Sequence, residues 1–131
     1  MTLTLSNKIS SLYHEAENAL KLYERISLSN LAPALNELRY AGHHILEAKS
    51  AADDEERLKH EERAVAHCER SIYDAKEATI ITLLECIADL RTLGFSADEM
   101  RVFIPEWDTY INEASGSKDN FGTSWHCQGS R

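Results

Sequence analysis

Between Asp53 and Gly94 the chain runs without a single proline or glycine, and no other stretch limits the possible folds so tightly. Leu58, Val65, Ile72, Thr79, Cys86 and Leu93 recur at every seventh position, and Ala66, Tyr73, Ile80 and Ile87 fill the adjacent column. This is helical spacing kept up far beyond the length of an ordinary globular helix. It predicts one continuous helix along which the rest of the chain must pack.

Shorter helices are expected on either side. Leu5, Ile9, Leu12, Ala16, Ala19, Tyr23 and Ile26 step by three or four, which predicts a first helix from Leu5 to Ser27 with one buried stripe. A second helix, capped by Ser29 or Asn30 with Pro33 in its first turn, is expected to run to Ser50. Its apolar arc is Leu31, Leu35, Leu38, Ile45 and Leu46, beside a column of small residues, Ala34, Ala41 and Ala48, next to Gly42. Asp53 with Glu56 opens the long helix, and Gly94 closes it. Ser96 with Glu99 forms a capping box for a fourth helix, which meets Pro105 and is expected to kink or break near Ile104 before continuing through Ala114. The predicted fold is all-α: an up-and-down helical bundle of four main helices around the long third helix, the last one kinked at a proline. Residues 1–114 form a single helical-bundle domain, and residues 115–131, rich in Gly, Ser and Asn, read as a flexible C-terminal tail.

The lengths carry a further expectation. The third helix spans roughly 60 Å and the first two roughly 33 Å each, so its distal part outruns them. That part is also the more apolar, with Glu85 the one charge between Thr79 and Ala88. A helix that is oily on several sides needs cover, so a homodimer is expected with Ile80, Ile81, Leu83, Leu84 and Ile87 at its interface. A break near Thr79 that closes a monomeric bundle is the alternative.

Composition narrows the partners. A formal charge of -8 and a pI near 5.2 disfavour nucleic acid and anionic membranes, which need a cationic field, and favour a basic or neutral protein partner. Cys68, Cys86 and Cys127 cannot pair off, no signal-peptide pattern opens the chain, and no run reaches membrane-spanning length. A cytoplasmic location follows as the expectation.

Two polar constellations stand out. Arg63, His67, Arg70, Asp74 and Glu77 step by four and three along the third helix, with His60 close by. Such a stripe is either a solvated face held by pairs such as Arg70 with Asp74, or a ligand or anion site formed by His67, Arg70, Asp74 and Glu77. The second helix adds Glu37, Arg39, Tyr40, His43, His44 and Glu47. Within it, Arg39-Tyr-Ala-Gly-His-His44 resembles the Arg, four to six residues, His motif of HEPN-type proteins, which are small, all-helical, often dimeric and in some cases ribonucleases. That resemblance implies Arg39 and His44 as a catalytic pair; the stripe on the third helix adds His67 as a further candidate beside them. A five-residue step turns about 140° around a helix, so the helix alone does not put the two on one face. LNELRYAGHH with HCERSIYDA also resembles small bacterial proteins of unassigned function, some of them carried on mobile gene cassettes.

Metal chemistry finds little footing. His14 with Glu17 and His44 with Glu47 are spaced three apart, but di-iron bundles use Glu followed by His and need two more inward carboxylates. His126 and Cys127 lack further ligands nearby, so no metal and no cofactor are expected. The favoured reading is therefore a non-enzymatic dimeric helical interaction protein of regulatory, adaptor, immunity or antitoxin type. The alternatives are a HEPN-like ribonuclease and a small-molecule sensor with a pocket lined by Phe95, Phe103 and Trp107.

Overall fold

The computed structural model describes residues 5–120. Five helices make up this span, with no strand among the described residues: α1 (Leu5–Ser27), α2 (Ala32–Ser50), α3 (Asp54–Thr92), α4 (Ala97–Phe103) and α5 (Trp107–Asn120). No helix among them is long and apolar enough to cross a membrane. The predicted tail, begun at Ser115, is helical as far as Asn120, and its remainder lies outside the described residues, as do Trp125, His126 and Cys127.

Several helix ends have a local cause. Asp53 Oδ1 accepts the Glu56 amide at 2.8 Å, and Glu56 Oε2 reaches back to the Ala52 amide at 3.0 Å. Three acidic residues in the first turn, Asp54, Glu55 and Glu56, suit the positive end of the helix dipole. α3 then continues unbroken for 39 residues. Gly94 follows its end at φ 78°, a left-handed turn that glycine adopts without strain, and the Ser96–Glu99 capping box opens α4 as expected. Ile104 caps α4 in extended conformation, and Pro105 falls in the gap before Trp107, so the chain has two helices there. α2 departs from expectation. Its N-cap is Leu31 with no side-chain hydrogen bond, because the Ser29 hydroxyl turns back to Ser27 at 3.2 Å.

The chain divides into two units, residues up to Leu83 and residues from Leu84 onward. In the first, α2 runs antiparallel to α3, since Ala34, Glu37 and His44 bond in turn to Ser71, His67 and His60. α1 runs parallel to α3, with Lys8 facing Glu69 at 3.8 Å and Glu15 facing Lys76 at 2.7 Å. Ala16, Ala34, Ala41, Ala64, Cys68, Ser71 and Ala75 are completely buried. All are small, so the backbones approach closely, and larger side chains such as Leu20, Leu38, Ile72, Ile9 and Val65 fill the spaces alongside. The Ser71 hydroxyl crosses this seam to donate to the Ala34 carbonyl at 2.8 Å, so its polar atom is buried at little cost.

The predicted apolar arcs are only partly buried. Leu35, Leu46 and Leu58 are exposed, as are Tyr73, Ile80 and Leu83. Of the distal α3 residues expected at a dimer seam, Ile80 and Leu83 are open while Ile81, Leu84 and Ile87 are half-buried. In the second unit, Met100 and Trp107 are buried, and Arg101 holds Asp108 through two hydrogen bonds at 2.7 and 3.0 Å, tying α4 to α5.

Leu28 is a local exception, at φ 57° and 90% exposed, with its amide bonded to the Glu24 carbonyl at 2.9 Å. A leucine in the left-handed cap position costs about 1 kcal/mol relative to glycine and gains nothing from burial here. Leu28→Gly is therefore expected to raise stability by about 0.5–1 kcal/mol in urea unfolding. Conversely, Ala34→Leu should lower it by about 1–3 kcal/mol, since the seam has no room for the added volume.

Candidate functional site

The polar flank of α2 and that of α3 meet beside the small-residue seam. At 100° per residue, Glu37, Tyr40 and His44 share one side of α2, and His60, Arg63, His67 and Arg70 share the matching side of α3. Antiparallel packing then sets them opposite one another. His44 Nδ1 lies 3.0 Å from His60 Nδ1, and the two rings are 5.2 Å apart. The His44 ring also stacks on His67 at 5.4 Å with 13° between planes, and His43 stands 5.2 Å from it. Four imidazoles, His43, His44, His60 and His67, thus form one cluster.

A carboxylate orients the cluster. Glu37 Oε2 accepts from His67 Nδ1 at 2.7 Å, and Glu37 Oε1 faces Arg70 Nη1 at 3.6 Å. The Glu37 side chain is only 17% exposed, so one hydrogen bond from His67 and the nearby Arg70 charge compensate a carboxylate that has lost most of its water. Arg70 therefore pairs across the helices with Glu37 and not along α3 with Asp74. Asp74 and Glu77, the other half of the predicted stripe, are half-buried on α3 and join none of these contacts.

Arg39 and His44 do lie on one continuous surface, because side chains bridge the 140° between them. The Arg39 guanidinium carbon sits 5.8 Å above the Tyr40 ring, Tyr40 is 5.5 Å from His67, and His67 stacks on His44. The short turn at Asp53 already implies that α2 runs back along α3; what the sequence leaves open is the register, which brings His60 to His44 and Glu37 to His67.

The 3.0 Å contact constrains protonation. An N–H···N bond between two imidazoles needs one donor and one lone pair, so the His44–His60 pair cannot hold it with both rings charged. Burial pushes the His44 pKa below its ordinary value, with His67, His60, His43 and Arg63 adding in the same direction. His44 is thus held as a neutral imidazole. Among the described residues, no group of three or more His, Cys, Asp or Glu has the arrangement to hold a metal ion. His14 and Glu17 pair with each other at 3.5 Å.

The third sequence candidate, the Phe95, Phe103 and Trp107 pocket, is only partly formed. A hollow of about 250 Å³ in the second unit is lined by Phe95, Met100 and Trp107, but Phe103 stands 74% exposed outside it. That volume falls short of the usual small-molecule range of about 300–1,000 Å³. No protein-family model, curated protein or solved structure matches the chain.

A histidine whose folded-state pKa is lowered binds its proton better in the unfolded chain. Its contribution to stability is complete above about pH 6.5 and is lost as pH falls through the folded value. The melting temperature is therefore expected to drop as pH is lowered from about 7.5 to 5, and His44→Gln should flatten that slope when both are followed by circular dichroism.

Proposed function

We propose that the histidine face of α2 and α3 is an acid–base site for phosphate esters, and that the chain cleaves RNA in the manner the HEPN resemblance implies. One observation carries this reading: Arg39, Tyr40, His67 and His44 form an unbroken line of ring and guanidinium contacts. Arg63 lies close enough to act on His44, and with Arg39 it brings positive charge to the line, while Arg70 is held by Glu37.

The chemistry needs three tasks. A neutral imidazole must take the proton of a ribose 2′-hydroxyl as its oxygen attacks the neighbouring phosphorus. His44, held uncharged by burial and by surrounding histidines, suits that task. A second imidazole must return a proton to the departing 5′ oxygen, and His67, oriented by Glu37, is the candidate. A fixed cation must meet the charge that builds on the phosphoryl oxygens, which falls to Arg39. The products would be a 2′,3′-cyclic phosphate and a 5′-hydroxyl.

A second reading is favoured by a separate observation. Tyr73, Ile80 and Leu83 of α3 are 61%, 38% and 44% exposed, an apolar column left partly open among the described residues of the first unit. In that reading α3 is the axis of an up-and-down bundle whose distal part seats a second copy, and the protein is a regulatory or adaptor dimer for a basic or neutral partner.

The two are separable by experiment. In the nuclease reading, purified protein cuts single-stranded RNA but not its 2′-deoxy counterpart, and Arg39→Ala, His44→Ala and His67→Ala each lose about 100-fold or more. Absence of cleavage across a panel of RNAs, or cleavage indifferent to all three substitutions, overturns it. In the dimer reading, light scattering at micromolar concentration gives twice the chain mass, and Ile80→Glu halves it; a monomeric wild type overturns it.

A further inference from the structure

The flank of α2 opposite the histidines lines, with residues of α1 and α3, a hollow of about 740 Å³ within the first unit. Its apolar floor includes Ile9, Ile45 and Leu46, its hydroxyls are those of Ser6, Ser10 and Tyr13, and its cations include Lys49 and Arg57. This volume lies inside the usual small-molecule range of about 300–1,000 Å³.

Gly42 gives the hollow its meaning. It stands in the middle of α2, where glycine weakens a helix relative to alanine, so packing would have to justify it. It does not: a Cβ built at Gly42 meets nothing within 4 Å. No neighbour among the described residues needs the missing side chain, and the space it leaves open belongs to the hollow that Gly42 lines. Leu46, on the same wall, is 65% exposed, an apolar side chain left largely open among the described residues.

The rim supplies the polarity. Lys49 makes no ion pair among the described residues, and Arg57 holds only Asp54, itself 91% exposed, at 3.1 Å. Against these two cations stands one rim carboxylate, Glu61, while His14 is engaged by Glu17. Burial, with Glu17 and Cys68 adding to it, pushes the Tyr13 hydroxyl pKa up, so Tyr13 stays a hydrogen-bond donor.

We propose that this hollow binds a small amphipathic anion, its apolar body lying over Ile9, Gly42 and Ile45 and its single negative group meeting Lys49 and Arg57. The assignment is independent of the histidine face, because it uses the other side of α2 and none of the same residues.

Decanoate, titrated into the full chain by calorimetry and followed by amide NMR, tests it directly. Saturable one-site binding is expected, with the largest shifts at Ser6, Ile9, Gly42 and Ile45. Gly42→Leu fills the hollow and should weaken binding by at least about tenfold, and Lys49→Glu, a surface change that leaves the fold intact, should weaken it by about five- to tenfold. Decanol, with the same tail and no charge, should bind the Lys49→Glu and wild-type chains alike. Shifts scattered over the exposed leucines, no saturation at millimolar decanoate, or affinity unchanged in both variants overturns the proposal. His44→Ala serves as the control and should leave decanoate binding as it is.

Discussion

Close approach of α2 to α3 is the constraint from which the rest of the first unit follows. Ala34 of α2 and Ser71 of α3 meet there through a hydrogen bond, and Ala41, Ala64, Cys68 and Ala75 of the same two helices are, like them, small and without accessible surface. Where bulkier side chains would hold two helices apart, these let the backbones draw near enough for a serine hydroxyl on one helix to reach a carbonyl of the other. Dispersion contacts along such a seam are individually small but numerous, and the tight fit excludes water from the shared hydrogen bond.

The histidine face is a by-product of that seam. Residues one position round from the buried column are carried to its edge, where the two helices converge and side chains must interlock. On α3 these are His60 and His67, one heptad apart, and on α2 they are Glu37 and His44. A neutral ring, a carboxylate-held ring and neighbouring guanidinium groups therefore share a surface that neither helix makes alone. The opposite edge of α2 shows the complementary outcome. There the wall facing α1 carries Gly42 and Leu46, and a hollow remains instead of a ring cluster.

Much of the secondary structure was legible in the sequence. α1 was bounded by its apolar spacing, α3 by the absence of helix breakers and by Asp53 and Gly94, and α4 by Ser96 with Glu99. Periodicity was a poorer guide to which apolar residues are buried. Leu35 and Leu46 belong to the arc of α2 that hydropathy selects, yet both are exposed, because small residues beside that arc took the contact. The histidine cluster was half legible: the stripes were visible on each helix, but their union depends on a register that no local pattern encodes. Arg39 and His44 illustrate the same limit. Helical geometry separates them by angle, and only Tyr40 and His67, supplied from two helices, bridge the gap.

Cys68 adds a consequence of its own. Its thiol is fully buried in the seam and is pushed up to about 11 by loss of solvent, with Glu69 adding to the shift. Thiolate chemistry is therefore closed to it in the folded chain, whereas Cys86 lies open on the same helix. A thiol reagent thus meets α3 at one sulfur while the bundle is intact and at two once it opens. The chain carries its own internal clock for local unfolding, read out by the order in which those two sulfurs are modified.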